Sequence, residues 1–122
     1  MKTIINTPEA PAPIGPYSQA VKAGNMLFVS GQIAIHPPTG EIISTSIEEE
    51  THQVMKNIGA ILKEAGANYD NIVKTGIFLR DMNDFAKVNA VYGTYFTVDF
   101  PARETVEVSR LPKDVNVEIS VI

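Results

Sequence analysis

Between residues 46 and 66 the apolar positions recur at helical spacing. Ile47, Val54, Ile58, Ile61, Leu62 and Ala65 fall toward one side, while Glu, Lys and Asn fill the other. Ser46 and Glu49 form an S-x-x-E capping box and Gly66 supplies a C-terminal stop, so this stretch predicts an amphipathic helix. The acidic run Glu48 to Glu50 then lies in the first turn, where carboxylates complement the positive end of the helix dipole. A second helical pattern runs through NDFAKVNAVYGTYF, with Phe85, Val88, Val91, Tyr92, Tyr95 and Phe96 on or near one stripe.

Elsewhere the composition is that of strands. SQAVKAG and NMLFVSGQIAI flank Gly24-Asn25, the turn dipeptide of a hairpin, and HPPTGE makes a further turn. IVKTGIFLRDM reads as a strand, and ETVEVS and VNVEISV read as two more, joined by RLPKD. Ahead of them PEAPAPIGPY carries prolines at 8, 11, 13 and 16, which lack amide donors and so mark a loop or an edge. The order is two strands, helix, strand, helix, two strands. It predicts an α+β layer with two helices on one face of a mostly antiparallel sheet, in one domain over residues 1–122.

If RLPKD is a hairpin turn, Thr105 lies opposite Glu118, with Arg103 diagonally within reach. Alternation then puts Val106 and Val108 under the helices and leaves Arg103, Thr105 and Glu107 on the other face. Likewise Val117, Ile119 and Val121 oppose Glu118 and Ser120. From alternation alone the polar face is an ordinary solvated one, since antiparallel sheets commonly wet one side.

Composition narrows the function. Hydrophobic residues make up 44% and charged residues 20%, the balance of a globular chain. A net charge of −4 gives no cationic footprint for phosphate backbones, so nucleic acid is not an expected partner. There is no cysteine, which removes disulfides, thiolate nucleophiles and Cys-held metal. The opening MKTIINTPEAPAPIG lacks the apolar core of a secretory signal and no run is long enough to span a bilayer; the expectation is a soluble, cytoplasmic protein. His36 and His52 do not form a metal-binding spacing and are both expected at the surface. No P-loop, dinucleotide glycine pattern or nucleophile elbow occurs.

Several segments, in this order, carry a resemblance: IGPYSQAV, FVSGQIA, PPTGEI, AGANYDNIVKT, FLRDMNDFAKVNAVY and FPARETVEVSRLPKDVNVEI. Together they closely resemble the RidA (YjgF-type) family of enamine/imine deaminases. The resemblance implies a small α+β subunit of chorismate-mutase-like topology, assembled as a homotrimer with clefts between subunits. It also implies hydrolysis of 2-imino acids to 2-keto acids and ammonia without a cofactor, because a protonated imine already has an electrophilic carbon. A non-catalytic trimer that binds 2-keto acids is the competing reading.

By the same resemblance Arg103, in FPAR, is the carboxylate clamp, whose planar fork grips two oxygens; a salt bridge to Glu118 or Glu107 is the alternative. Glu118, in VEI, orients or deprotonates the hydrolytic water, or is a plain strand carboxylate. Tyr17, in IGPY, covers the substrate and offers its hydroxyl to the developing amine, or simply packs. Ser30 and Gly31, in FVSGQ, bring backbone close to the ligand, or mark a bare β-bulge. Asn89 stands near the cleft or on the helix surface. Thr105 occupies a position where many relatives carry cysteine; its backbone can still hold water or carboxylate. Glu104, where the family usually has a small residue, is directed away from Arg103 by alternation.

Overall fold

A computed structural model describes residues 1–122. Its single sheet has six strands in the order β1-β2-β3-β6-β4-β5. In chain order they are β1 (Lys2–Ile5), β2 (Ala20–Ala23), β3 (Met26–Gln32), β4 (Lys74–Leu79), β5 (Ala102–Glu107) and β6 (Val117–Val121). Helix α1 (Ile47–Glu64) follows β3 and α2 (Phe85–Gly93) follows β4. The expected α+β layer is present: every strand pairing is antiparallel except β4 with β5.

The helices form where the patterns place them. Ser46 caps α1 by accepting the Glu49 amide at 3.1 Å, and Val54, Ile58, Ile61 and Leu62 are buried against the sheet. In α2 the buried stripe is Val88, Val91 and Tyr92, extended past the helix by Phe96. The hairpin turns at Gly24, whose φ of 61° suits a residue without a β-carbon. Strand β1 was not expected: KTII is four residues long and mostly exposed, so it shows little alternation, and only its pairing with β2 makes it a strand.

The tail departs from expectation. RLPKD does not close a hairpin; Pro112–Asp114 forms a 3-10 turn with Lys113 and Asp114 at φ 55°, and β4 lies between β5 and β6. Thr105 is therefore beside Ile77, not opposite Glu118, which pairs with Phe78. Because α2 connects β4 to β5, the two strands run parallel, as a helical crossover requires.

This pairing also reverses the faces expected for β5. Paired residues share a face, and Thr75, Ile77 and Leu79 of β4 are buried beneath the helices. Their neighbours Arg103, Thr105 and Glu107 thus look toward the helices, while Val106, at 39% exposure, lies beside Phe78 on the open face. Strand β6 keeps its expected sense. Val117, Ile119 and Val121 join the core with Met55, Ile58 and Ile61, and Glu118 and Ser120 face away. A smaller cluster of Ile33, Leu111 and Val115, packed with Phe78 and Val108, lies apart from the main core.

Glu50, read from sequence as a dipole-compensating carboxylate of the first turn, is fully buried. Its carboxylate accepts the Asn116 amide at 2.7 Å, the Asn116 side chain at 2.8 Å and the Val117 amide at 3.2 Å, tying the first turn of α1 to the start of β6. Replacing it by alanine strands three donors, of which the Val117 amide is buried and the two of Asn116 are partly buried. Glu50→Ala is expected to cost about 3 kcal/mol or more, since charged hydrogen bonds contribute roughly 1.5–3 kcal/mol and orphaned donors add to the loss; urea unfolding checks this, and a change within 0.5 kcal/mol, about that of a surface substitution, would contradict the role.

Candidate functional site

The candidate residues gather into two groups on opposite faces of the sheet. Tyr17, Ser30, Gly31 and Glu118 share a cleft of about 420 Å³ on the open face. Arg103 and Asn89 share a second one of about 390 Å³, between α2 and β5. The expectation that Arg103 reaches Glu118 within one chain is overturned, because β4 sets the two side chains on different sides.

The open-face cleft is shaped by an irregularity in β3. From Val29 to Gln32 the strand advances three residues while β6 advances two, from Val121 to Ile119. The additional residue is a bulge at Ser30 and Gly31, which bends the strand. Gly31 then lies against Glu118: a β-carbon at that position would stand 2.5 Å from the Glu118 Oε2. Only glycine leaves the carboxylate where it is, so the bulge and the close approach are one feature. Ser30 is anchored by its hydroxyl, which donates to the Ser18 carbonyl at 2.6 Å.

The opposite wall is the proline-rich loop. Gln19, fully buried, accepts the Thr7 amide at 2.7 Å through its Oε1, and its Nε2 donates to the carbonyls of Thr7, Ala10 and Pro11 at 3.0, 3.3 and 2.9 Å. One side chain thus fixes a segment that has few backbone donors of its own. Tyr17 stands at the rim, 47% exposed, its hydroxyl accepting the Ile14 amide at 3.3 Å. Sequence reading passed over Gln19, although an amide beside a run of prolines is a signal of this kind.

Glu118 is half-buried in this cleft, and burial pushes its pKa above the ordinary glutamate value with no counter-charge to offset it. Arg103 is the complementary case. Its Nη1 donates to Asn89 Oδ1 at 2.7 Å, and its guanidinium lies 5.2 Å from the Tyr92 ring centroid and 5.7 Å from that of Phe85. These contacts orient the fork by cation–π attraction and one hydrogen bond without a carboxylate partner. The alternative salt bridges are not formed: Glu107 instead accepts the Met82 amide at 2.8 Å. Glu104 points to the other face, as alternation implied, and pairs with Lys74 at 3.0 Å. Thr105, two residues from Arg103 on the same face, has a buried hydroxyl without a hydrogen-bond partner.

His52 is not at the surface as expected; it is half-buried, its Nδ1 2.8 Å from the Tyr95 hydroxyl, and it helps join α1 to the segment after α2. His36 lies 3.2 Å from the Thr39 hydroxyl in the turn.

The family model described as Endoribonuclease L-PSP matches residues 7–122. The chain belongs to this family, the RidA (YjgF-type) family. A RutC family protein of Pyrococcus horikoshii is 57% identical over 122 residues, covering 100% of this chain and 97% of its own. A mouse relative named 2-iminobutanoate/2-iminopropanoate deaminase is 45% identical, covering 100% and 90%. The solved structure of E. coli TdcF with bound serine superposes with a TM-score of 0.93 at 43% identity, covering 98% and 95%. No helix here is long and apolar enough to cross a membrane.

The raised pKa of Glu118 has a consequence for stability. Its folded-state pKa exceeds the unfolded value, so folding favours the protonated form, and stability from this group falls as pH rises from the ordinary glutamate range through the raised value. Glu118→Gln removes that dependence. The variant is expected to gain stability relative to the native protein across this window and to hold the gain above it, as read by urea unfolding at a series of pH values; a difference that does not change with pH would contradict the shift.

Proposed function

We propose that the protein hydrolyses 2-imino acids to 2-keto acids and ammonia, at a site shared by neighbouring protomers of a homotrimer. The observation that carries this reading is the division of the candidate groups. A fork without an acidic partner stands on one face, and a desolvated carboxylate without a counter-charge stands on the other. In a 2-imino acid the carboxylate and the imine carbon are adjacent atoms. Clamp and base must therefore meet around one small molecule, which within this chain the sheet prevents.

A head-to-tail interface brings them together: the Arg103 face of one copy closes over the Glu118 cleft of the next, and a rotation that closes generates a ring. Phe85, Val98 and Phe100, at 39%, 68% and 62% exposure, supply apolar surface near Arg103 for such a contact. The name of the mouse relative supports the reaction, and the serine held by TdcF supports a ligand of amino-acid size. An RNA-cleaving role has little support from a chain of net charge −4.

In this arrangement Arg103 grips the substrate carboxylate, with Asn89 and the Tyr92 ring holding the guanidinium in place. Ionised Glu118 takes a proton from water as the oxygen attacks the iminium carbon, giving a carbinolamine. The carboxyl returns that proton to the amine, ammonia departs with its bonding electrons, and the hydroxyl proton leaves as the keto acid forms. Desolvation helps because it makes Glu118 a stronger base than a free glutamate. Tyr17 closes the rim.

An amino-acid oxidase that generates imines in situ, coupled to ammonia detection, tests the proposal. Glu118→Gln is expected to lower kcat by about 100-fold or more, the usual contribution of a general base, with keto-acid binding retained. Arg103→Ala is expected to abolish binding as well as turnover. Wild-type hydrolysis equal to the uncatalysed rate, with keto acid still bound, would instead establish the non-catalytic binder, and a monomer at working concentration would refute the shared site.

A further inference from the structure

Ser30 is held at each of its polar groups. Its amide donates to the Gln19 carbonyl at 2.9 Å, its hydroxyl donates to the Ser18 carbonyl at 2.6 Å, and its own carbonyl accepts the Gln32 Nε2 at 3.2 Å. The first two contacts tie the bulge to the segment that leads into β2. The third comes from a side chain two residues ahead, at the position where β3 regains its register beside Ile119 of β6. Gln32 thus spans the bulge and closes it.

Gln32 also lines the Glu118 cleft and is only 5% exposed. A glutamine amide has the capacity for about four hydrogen bonds, and this side chain makes one within the chain, to Ser30. For the fold alone an apolar side chain of similar volume would serve better, because a buried amide with most of its capacity unused destabilises where a hydrocarbon does not. What the amide supplies instead is control of one peptide plane. The Ser30 carbonyl and the Gly31 amide belong to the same rigid unit, so a donor on the carbonyl fixes where the Gly31 backbone stands. Gly31 in turn lies against the Glu118 carboxylate, near enough that a β-carbon would be 2.5 Å from its Oε2.

We propose that Gln32 is a positioning residue of the reaction: through the Ser30–Gly31 peptide it sets how closely backbone packs on Glu118, and so how far water reaches the carboxylate that acts as base. Its part in turnover rests on the deaminase reading; the link from Gln32 through the bulge to Glu118 does not. Tyr17 is the other titratable side chain lining the cleft, and no charged group there faces Glu118. Access of water to the carboxylate is therefore the variable that Gln32 governs.

Gln32→Met keeps the length of the side chain and removes the donor, and Gln32→Leu removes it with a different shape. Turnover is followed across pH by the oxidase-coupled assay, and pyruvate binding to the assembled protein by calorimetry. The titration of Glu118 is followed by carbon-detected NMR on carboxyl-labelled glutamate, the signal being assigned by its loss in Glu118→Gln. Both variants are expected to unfold in urea at or above the native midpoint and to bind pyruvate as tightly as the native protein. Their kcat is expected to fall by about tenfold, part of the roughly 100-fold that a misplacement of about 1 Å brings. The Glu118 titration and the acid limb of kcat are expected to move together toward lower pH, by about half a unit or more, as water gains access to the carboxylate. A glutamine that served only the fold would lower the unfolding midpoint and leave the Glu118 titration in place. That result, a Glu118 titration unmoved in both variants, or pyruvate binding lost in step with kcat would overturn the assignment. Native protein that hydrolyses no imine, but whose Glu118 titration shifts on Gln32→Met, would refute the deaminase reading and leave the hold of Gln32 on Glu118 standing.

Discussion

Strand β4 is hydrogen-bonded to β5 on one side and β6 on the other, and this placement fixes which way every side chain of the tail points. Its own residues Thr75, Ile77 and Leu79 are buried beneath the helices, so the parity of both neighbours is no longer free. Arg103 inherits the face of Thr75, and Glu118 inherits that of Phe78. Were β5 and β6 a hairpin, the same residues would lie side by side on one surface. The separation of a cation from a carboxylate thus follows from a core requirement: β4 is apolar enough to need neighbours on both edges and cover on one face.

The surroundings of the two groups differ in a way that suits division of labour. Arg103 is held by an amide oxygen and two aromatic rings, contacts that orient a guanidinium without neutralising it. A carboxylate partner would have held it as firmly and spent the charge. Glu118 sits beside a glycine bulge and gains no hydrogen-bond donor, so burial raises its proton affinity. Buried Glu50 shows the contrast: three donors surround it and it serves the fold. Side chains of the same kind take different roles according to how many donors face them.

Much of the fold was legible. The helix from Ser46 and the stripe of α2 follow from periodicity, because an amphipathic helix repeats its pattern over several turns. The β2-β3 hairpin follows from Gly24-Asn25, because a two-residue turn is a local event. What was lost has a common cause. Short β1 shows no pattern to read, and the RLPKD turn resembles a hairpin loop in composition although positive φ at Lys113 and Asp114 sends the chain elsewhere. Gln19 and His52 were missed or misplaced since their partners, at Thr7 to Pro11 and at Tyr95, are distant in sequence or carried by backbone.

By itself the sequence determined the elements, the alternation within each strand, and through its motifs the family and the identity of the candidate groups. Those are properties of residues near one another along the chain, where spacing alone sets which side chains share a face. The tertiary structure decided how the strands are ordered, and with it that Arg103 and Glu118 occupy opposite sides of one sheet and that Gly31 and Glu118 touch. Strand order is a choice among pairings of similar local cost. It is resolved only by which arrangement buries β4 and closes the parallel crossover through α2, a global balance that no short stretch of residues contains.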